Sequence, residues 1–508
     1  MKKTLLLFTC LFALPVFAET PKEDLSLRKV KIRIPEKFKQ YYQGEPEVFL
    51  PKGFTISVYS AGLINPRFFA WSPSGVLHVA SIDKKSVYAL PDTNNDGVAD
   101  TNLIAVNNLD KPHSLSFFKG NMYVADEREV FKLTDNNSDG IFEKREKFIE
   151  GIPGGGHFTR TILFDTIQNY VYLSVGSTCD ACRETDSLRA TILRFKTDGS
   201  GRQIFARGLR NAVGLAIEPA TRKLWATIAE RNNFNGFPEE PITSVEEGSF
   251  HGWPFAYGSR KWMDFNDTVY QKILPLTAKD SLDVAAMRIP EVSIGAHTTP
   301  LGIHFYTGGL FPAEYKNTAF VAVHGSGSDQ TKPAVGYNVI RIRKDGEVWK
   351  QADFLDGFIL NGMEYDFLAR PAGVTSDAVG NLYISSDNAY KSSVHAIYKI
   401  SFDPALAMES FQNSRLVFKT SALPNIISRG EQSFKISYVL PESGDITITL
   451  YDVMGNLLKI LHSAHETMGE YLLPVYLPQK TAPGIIFYKV ELRNANGFKT
   501  VAGKLILE

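Results

Sequence analysis

Short runs that alternate apolar and polar residues recur along most of this chain. A polar opening is followed by an apolar run, a glycine-containing turn and a second apolar run, as at residues 115–117 and 122–124. Runs of this length and period predict β-strands rather than helices. Six such units follow one another at a spacing of about 45 residues, which predicts an all-β fold built as a six-bladed β-propeller.

The same pattern gives the domain boundaries. The predicted propeller spans residues 46–405, and its long fourth unit carries an insertion at residues 256–296. Residues 406–430 read as a linker. Residues 431–508 resume short alternating strands with the spacing of a small immunoglobulin-like β-sandwich, for which we expect few contacts across the linker.

The first residues of the chain differ from the rest. Lys2 and Lys3 precede an apolar run at residues 5–16 and a small-residue cleavage signal ending at Ala18. Residues 1–18 are therefore predicted to be a secretory signal peptide, and residues 19–45 a short N-terminal extension. No later apolar run is long enough to span a membrane, so we expect a protein secreted or displayed at the cell surface after passing through the periplasm.

The balance of acidic and basic residues limits the classes of binding partner that we expect. Lys and Arg together number 55, and so do Asp and Glu. This balance gives no reason to expect nucleic acid or an anionic membrane as a partner.

Two cysteines remain after removal of the signal peptide, Cys179 and Cys182. In a reducing compartment their spacing would suggest redox chemistry or half of a zinc site. Because an exported chain meets an oxidising compartment, we predict a local disulfide that stiffens a loop.

The openings of the six units hold most of the candidate chemistry. The first strand of each blade lines the central channel, so its opening residue is expected near the channel mouth. Polar residues there can serve only to solvate a funnel, but this number of histidines and arginines predicts a site for an anionic ligand. The candidates are Arg67, His113, His157, Arg160, Arg210, Asn211, His297 and Arg370.

Two loops place oxygen-bearing side chains at alternate positions with glycine at the sixth. This spacing is typical of chains that wrap around Ca²⁺, although polar hairpin turns have a similar composition. The candidate ligands are Asp92, Asn94, Asp96 and Asp100 in the first loop, and Asp135, Asn137, Asp139 and Glu143 in the second.

Several motifs in this order resemble the soluble quinoprotein sugar dehydrogenases, in particular their sorbosone dehydrogenase-like branch. They include Gly-Gly-His-Phe-Thr-Arg at residues 155–160, Gly-Leu-Arg-Asn at 208–211, Gly-Ala-His at 295–297, Val-His-Gly-Ser at 323–326 and Arg-Pro-Ala-Gly at 370–373. The resemblance covers nearly the whole propeller. It implies an enzyme that oxidises a sugar with pyrroloquinoline quinone and Ca²⁺ and passes electrons to an unidentified acceptor.

The resemblance also implies roles for single residues. His157 matches the catalytic base, and Arg210 stabilises the developing negative charge. Cofactor-binding candidates are Arg160, Arg210, Asn211 and Arg370, with Lys332 as a replacement for a cation that the family pattern has and this chain lacks. The strand openings add Arg67, His113 and His297 as substrate-side candidates. The resemblance places the active-site Ca²⁺ at the backbone carbonyls of Arg231, Asn232 and Asn233.

The last domain resembles the C-terminal sorting domain of the type IX secretion pathway. The similarity lies in residues 438–442, 450–456, 483–488 and 504–508. It implies the outer-membrane secretion machinery as a partner of residues 431–508.

Two other functions fit parts of the sequence. The chain differs from the sorbosone-like pattern at residues 327–332, where an Asn-Arg pair is usual, and this favours a non-catalytic surface propeller that binds glycans or proteins. Metal-dependent lactone hydrolysis uses similar propellers but needs carboxylate ligands at the axis, whereas a cationic channel mouth is predicted here.

Overall fold

The computed structural model describes residues 20–231, 238–327, 333–360, 362–363, 366–387, 394–408, 418–427, 433–477, 483–494 and 497–507. Most of its regular elements are strands, so the all-β prediction is confirmed. In these ranges no helix has the length and apolar character needed to cross a membrane. The helical segments are Glu36–Tyr41, Thr268–Gln271, Ala278–Ala285, Ala313–Tyr315 and Pro404–Met408.

Five four-stranded antiparallel sheets follow one another along the chain, and in each the strands pair in sequence order. Sheet 1 contains Pro66–Trp71, Leu77–Ser81, Ser86–Leu90 and Leu103–Val106; sheet 2 contains Ser114–Phe118, Asn121–Ala125, Val130–Thr134 and Lys144–Ile149; sheet 3 contains Ile162–Asp165, Tyr170–Val175, Thr191–Lys196 and Gln203–Arg207; sheet 4 contains Ala212–Ile217, Leu224–Ile228, Glu240–Val245 and Val292–Ile294; sheet 5 contains Pro300–Phe305, Ala319–Val323, Asn338–Asp345 and Val348–Leu355.

Sheet 6 joins the two ends of this region. Its strands Pro371–Ser376, Leu382–Ser386 and Ala396–Phe402 are completed by Phe54–Ala61, which pairs antiparallel with the last of them. Beyond this strand lie Arg28–Arg33 in parallel and Glu47–Leu50 in antiparallel orientation. Because a strand from the N-terminal part of the chain pairs with Ala396–Phe402, the backbone groups at that edge of the last sheet are not left unpaired.

The six sheets form a closed ring. The first strand of each sheet contacts the first strand of the next, and that of sheet 6 contacts that of sheet 1. Neighbouring sheets enclose apolar clusters, such as the one that holds Tyr123 of sheet 2 with Val171 and Leu173 of sheet 3. The first strands of the six sheets therefore lie next to one another around the inside of the ring.

The insertion in sheet 4 is displaced from its predicted position at residues 256–296. It lies between Glu240–Val245 and Val292–Ile294, so residues 246–291 form it and the fourth strand follows. A strand of three residues is too short for a period-2 pattern to separate from a loop. The insertion holds two of the short helices and a small hairpin of Ala256–Tyr257 with Lys261–Trp262.

The C-terminal region consists of two sheets around one apolar cluster that includes Ile436, Ile448 and Val490. Two of its strands lie inside the predicted linker, residues 406–430. One sheet contains Lys419–Leu423, Ser433–Leu440 and Gly469–Tyr476; the other contains Ile426–Ile427, Gly497–Leu507, Gly484–Asn494, Gly444–Tyr451 and Leu457–Glu466.

Contacts between this region and the rest of the chain are more extensive than expected. The N-terminal extension lies against it: Leu27 forms a β-bridge with Leu472, and Arg28 Nη2 donates to Thr467 Oγ1 at 2.7 Å. Lys435 forms an ion pair with the buried Asp356. The expectation of few contacts is wrong because it considered only the linker and not the N-terminal segment.

Candidate active site

His157 lies in the loop that leads into sheet 3. Its backbone N–H donates to the Ser177 carbonyl at 2.9 Å, and its Nδ1 lies 3.1 Å from that carbonyl and 2.9 Å from Ser177 Oγ. Burial and the nearby Arg210 guanidinium lower the pKa of His157 to about 4. The imidazole is therefore neutral at neutral pH, the form that a general base requires.

Arg210 and Asn211 precede the first strand of sheet 4. Arg210 donates from Nε to the Asp180 carbonyl, from Nη1 to the carbonyls of Ala229 and Glu230, and from Nη2 to Asp180 Oδ1 at 2.6 Å. Four of its five N–H groups are thus engaged, and within the described ranges one on Nη2 has no acceptor.

Asn211 lies close to His157 across a glycine. A Cβ placed on Gly176 would lie 2.6 Å from His157 Cβ and 2.7 Å from Asn211 Oδ1. That oxygen is buried and has no hydrogen-bond partner within the described ranges. Because an unpaired buried oxygen is costly, this atom marks a place for a donor from a ligand or water.

A cavity of about 480 Å³ has Phe158, the residue after His157, in its wall, whereas His157, Arg210 and Asn211 do not line it. Asp387 accepts from Arg67 Nη1 at 2.6 Å and pairs with His324 Nε2 at 2.5 Å. Burial would raise the pKa of Asp387, but His324 and Arg67 hold it well below its ordinary value, and burial lowers the pKa of His324 to about 4. A neutral imidazole therefore donates to an ionised carboxylate in the cavity wall.

The cavity wall is mixed in charge rather than strongly cationic. Three acidic and three basic side chains line it, so the prediction of a strongly positive mouth is wrong for this cavity. The lining residues are Asn65, Arg67, Ile82, Asp83, Lys85, Asp110, Lys111, Phe158, His324 and Asp387.

Two predicted cofactor ligands, Arg160 and Arg370, are buried and bind backbone carbonyls instead of lining this cavity. Arg160 donates to the carbonyls of His157, Thr159, Pro153 and Glu127. Arg370 donates to the carbonyls of residues 324–326. Both guanidiniums thus hold the loops that carry His157 and His324, and most of the N–H groups of each are engaged by these carbonyls.

The substrate-side candidates do not all meet. Arg67 lines the cavity, whereas His113 is fully buried and packs on Phe68 with ring centroids 4.9 Å apart. His297 is half-buried with a left-handed φ of 66°, in the loop before Pro300–Phe305, and is not part of the cavity wall. His113 is therefore a core residue in this structure rather than a substrate contact.

Of the residues predicted to bind the active-site Ca²⁺, the structure describes only Arg231. Asn232 and Asn233, like the cofactor candidate Lys332, lie outside the described residues. The Arg231 side chain donates to Asp267 in the insertion at 2.8 Å.

Next to Arg231 lies a buried acid pair. The Glu230 backbone N–H donates to Glu240 Oε2 at 2.7 Å, and Glu230 Oε2 is buried without a partner in the described ranges. Burial raises the pKa of Glu230 to about 7 and that of Glu240 to about 8.

Comparison with known proteins shows the family to which the chain belongs. The profile of the TrAA12-like family matches residues 48–399. This protein belongs to the TrAA12-like family. At the sequence level it is 23% identical over 385 residues to a pyrroloquinoline quinone-dependent sugar dehydrogenase of Hypocrea jecorina, covering 66% of this chain and 86% of that protein. It is also 23% identical over 374 residues to an uncharacterised protein of Borreliella burgdorferi, covering 70% and 90%.

Two solved structures show the same fold as this TrAA12-like protein. A structure of the Trichoderma reesei carbohydrate-active enzyme of family AA12 has a TM-score of 0.59 at 20% identity and covers 70% of this chain and 98% of that one. The holo form of the pyranose dehydrogenase PQQ domain from Coprinopsis cinerea has a TM-score of 0.57 at 21% identity, covering 73% and 98%.

In this TrAA12-like chain the two predicted Ca²⁺ loops share a conformation. The amide of Gly97 donates to Asp92, and that of Gly140 donates to Asp135, each at 2.9 Å. The carboxylates of Asp135, Asp139 and Glu143 have oxygens within 4.8 Å of one another, as one cation would require.

The first loop differs at its last acid. Asp100 Oδ2 accepts from the backbone and hydroxyl of Thr93, and the described residues show no three-acid group there. The side chains of Asn94 and Asn137 donate to Asp96 and Asp139 respectively.

The predicted disulfide is confirmed, because Cys179 and Cys182 are bonded. Sequence analysis missed Ser177, Asp180, His324 and Asp387. They follow the second strands of their sheets, and an antiparallel second strand ends where the first begins. The signal that points to them is their position in the repeat, after the second strand of each unit.

Proposed function

We propose that this protein is an exported oxidoreductase that oxidises an aldose or a sorbosone-like sugar, with pyrroloquinoline quinone and Ca²⁺ as cofactors. The six sheets are interpreted as the blades of a six-bladed propeller whose active site lies where the loops of His157 and Arg210 meet, next to the cavity that Phe158 lines. The names of the curated sugar dehydrogenase relative and of the AA12 structures support this assignment.

One observation carries the proposal: His157 Nδ1 lies 3.1 Å from the Ser177 carbonyl oxygen. The Ser177 carbonyl can only accept a hydrogen bond, so His157 Nδ1 carries the proton. Nε2 then has a free lone pair and can accept the proton of a substrate hydroxyl.

The neighbouring residues fit the quinone. Asn211 Oδ1 and the remaining N–H on Arg210 offer one acceptor and one donor beside His157. Lys85 in the cavity wall would supply a cation for the quinone's carboxylates, together with Arg67 and Lys111, which also pair with Asp387 and Glu127. When bound, pyrroloquinoline quinone supplies the hydride acceptor that oxidation of an alcohol requires.

The chain's own groups then have distinct tasks. His157 removes the hydroxyl proton, and the last Arg210 N–H stabilises negative charge that develops near it. Phe158 in the cavity wall offers an apolar face against which a sugar ring can pack. His324 and Arg67, both bound to Asp387, keep their part of the cavity wall fixed.

Reconstitution tests the proposal. Purified protein mixed with pyrroloquinoline quinone and Ca²⁺ should bind the quinone at micromolar concentration in calorimetry and then reduce an artificial dye with aldoses. His157→Ala should retain quinone binding and lose about 10²-fold or more in kcat. Absence of quinone binding would leave a non-catalytic propeller that binds glycans or proteins.

We propose further that the protein reaches the cell surface or the medium. This rests on the sequence alone: residues 1–18 resemble a signal peptide and residues 431–508 resemble a type IX sorting domain that engages the outer-membrane secretion machinery. Fractionation of a host with that pathway tests it. Protein lacking residues 431–508 should remain in the periplasm, and equal surface display of both forms would overturn the proposal.

A further inference from the structure

Residues 177–182, here called the disulfide loop, follow the second strand of sheet 3 and are closed by the Cys179–Cys182 bond. The loop contacts both predicted catalytic residues. Ser177 forms hydrogen bonds with both His157 and Arg210, and Asp180 accepts hydrogen bonds from Arg210.

Ser177 connects the two sides. Its backbone N–H donates to the Arg210 carbonyl at 2.8 Å, and its carbonyl accepts from the His157 backbone at 2.9 Å. Ser177 is fully buried, so these bonds are shielded from water. One residue therefore links the openings of sheets 3 and 4.

The Ser177 hydroxyl has a defined direction. It donates to the Cys179 carbonyl at 2.8 Å, which uses its only proton. Toward His157 Nδ1, 2.9 Å away, the hydroxyl can then only accept. The Cys179 carbonyl thus orients the hydroxyl, and the hydroxyl together with the Ser177 carbonyl places the ring proton on Nδ1.

Asp180, inside the disulfide-closed turn, holds the guanidinium. Its carbonyl accepts from Arg210 Nε at 3.1 Å and its carboxylate from Nη2 at 2.6 Å. The same carbonyl accepts from Trp253 Nε1 at 3.0 Å. Because the Asp180 side chain is 66% exposed, its value lies in fixing the fork of Arg210 rather than in the strength of an ion pair.

The far end of the loop is fastened to the insertion. Arg183, which follows Cys182, donates to Asp280 at 2.7 Å and to the Ile273 carbonyl at 2.9 Å. The loop is thus fixed at both ends, and the disulfide limits the conformations of residues 179–182.

We propose that the disulfide loop is a positioning element for the active site, in which Ser177 fixes the tautomer of His157 and Asp180 fixes the orientation of Arg210. The inference rests on the proposed function for its kinetic consequences, but the ring tautomer and the guanidinium geometry are properties of the protein itself. Loss of an orienting partner typically reduces activity tenfold to 100-fold.

Nitrogen-15 NMR of the histidine rings tests the tautomer without any cofactor. In the wild-type protein at pH 7 the His157 signals, assigned by comparison with His157→Gln, should show a protonated Nδ1 and a bare Nε2. In Cys179→Ser/Cys182→Ser the two tautomers should exchange. A single Nδ1–H tautomer in that variant, with unchanged kcat, would overturn the proposal.

Kinetics test the second half with variants that keep the fold. Asp180→Ala, which removes the acceptor of Arg210 Nη2, should lower kcat about tenfold while the KM for the sugar changes little. Asp198→Ala, at an exposed acid at the other end of sheet 3, should have wild-type kinetics. Equal kcat for both variants would remove the role of Asp180. If the wild-type protein shows no dehydrogenase activity, the proposed function fails, whereas the tautomer result still decides the role of the loop.

Discussion

Glu240 and Glu230 lie against each other in the core of sheet 4, where the Glu230 backbone donates to the Glu240 carboxyl at 2.7 Å. Burial raises the pKa of Glu240 to about 8, against 4.5 for an ordinary glutamate. Between these pH values the folded state holds a proton that the unfolded state has lost. Stability should therefore fall as the pH rises, by up to about 1.4 kcal/mol per pH unit from this group.

Glu240→Gln should remove this contribution, because the amide keeps an acceptor oxygen but does not ionise. Thermal midpoints measured from pH 5 to pH 8 should rise relative to the wild type as the pH increases. The exposed Glu314→Gln serves as the matched control and should follow the wild type at every pH. Parallel curves for the wild type and Glu240→Gln would contradict the buried-acid assignment.

Gly176 should be essential for the site although it carries no chemistry. A Cβ there would lie 2.6 Å from His157 Cβ and 2.7 Å from Asn211 Oδ1, so one of these side chains must move in Gly176→Ala. We expect at least a tenfold loss of kcat/KM, because small displacements of positioned groups are costly. Kinetics and circular dichroism together separate this effect from unfolding.

Gly309→Ala is the matched control for that variant. The structure places nothing within 4 Å of a Cβ at Gly309. This variant should keep wild-type kinetics and thermal midpoint. Equal activity of Gly176→Ala and Gly309→Ala would show that His157 and Asn211 need not approach each other as closely as they do here.

The repeat in the sequence located one half of the site and missed the other. Residues that open the first strands, such as His157 and Arg67, were found because the repeat starts with them. Their partners Ser177 and Asp387 were missed because they follow second strands, where antiparallel pairing returns the chain to the same end of the sheet.

The residue type at a strand opening does not show whether that residue binds a ligand or the protein backbone. Arginines at strand openings suggested an anionic ligand, but Arg160 and Arg370 satisfy backbone carbonyls. The sequence cannot distinguish these two roles, because the five N–H donors of a guanidinium can bind loop carbonyls as well as the carboxylates of a ligand. Likewise His113 follows the pattern of the site yet is buried against Phe68.

The second acidic loop is expected to bind Ca²⁺ more tightly than the first. Asp135, Asp139 and Glu143 bring three carboxylates together. In the described part of the chain Glu143 accepts only the Asn136 backbone N–H, whereas Asp100 accepts both the backbone N–H and the hydroxyl of Thr93. Calorimetry with CaCl₂ on quinone-free protein should show Glu143→Gln losing affinity at this loop about tenfold or more, since fewer charged ligands weaken Ca²⁺ binding. Asp100→Asn should change the titration less; the reverse order would contradict the geometry.

His157 should set the acidic limb of the pH–rate profile. Burial and Arg210 lower its pKa to about 4, below the 6.5 of an ordinary histidine. A base with this pKa stays unprotonated as the pH falls through 6.5 and is lost only near pH 4. For reconstituted enzyme we therefore expect kcat/KM to remain high at pH 5.5 and to reach half its plateau near pH 4.

Acid unfolding must be separated from this titration. Burial also lowers the pKa of His78, His251 and His304 to about 4, 3 and 4, so the unfolded state takes up their protons first and acid weakens the fold. Enzyme incubated at each pH and assayed at pH 7 reports unfolding alone, and its loss is subtracted. A limb that stays near pH 6.5 after this correction would show that the titrating base is a solvated histidine rather than the half-buried His157.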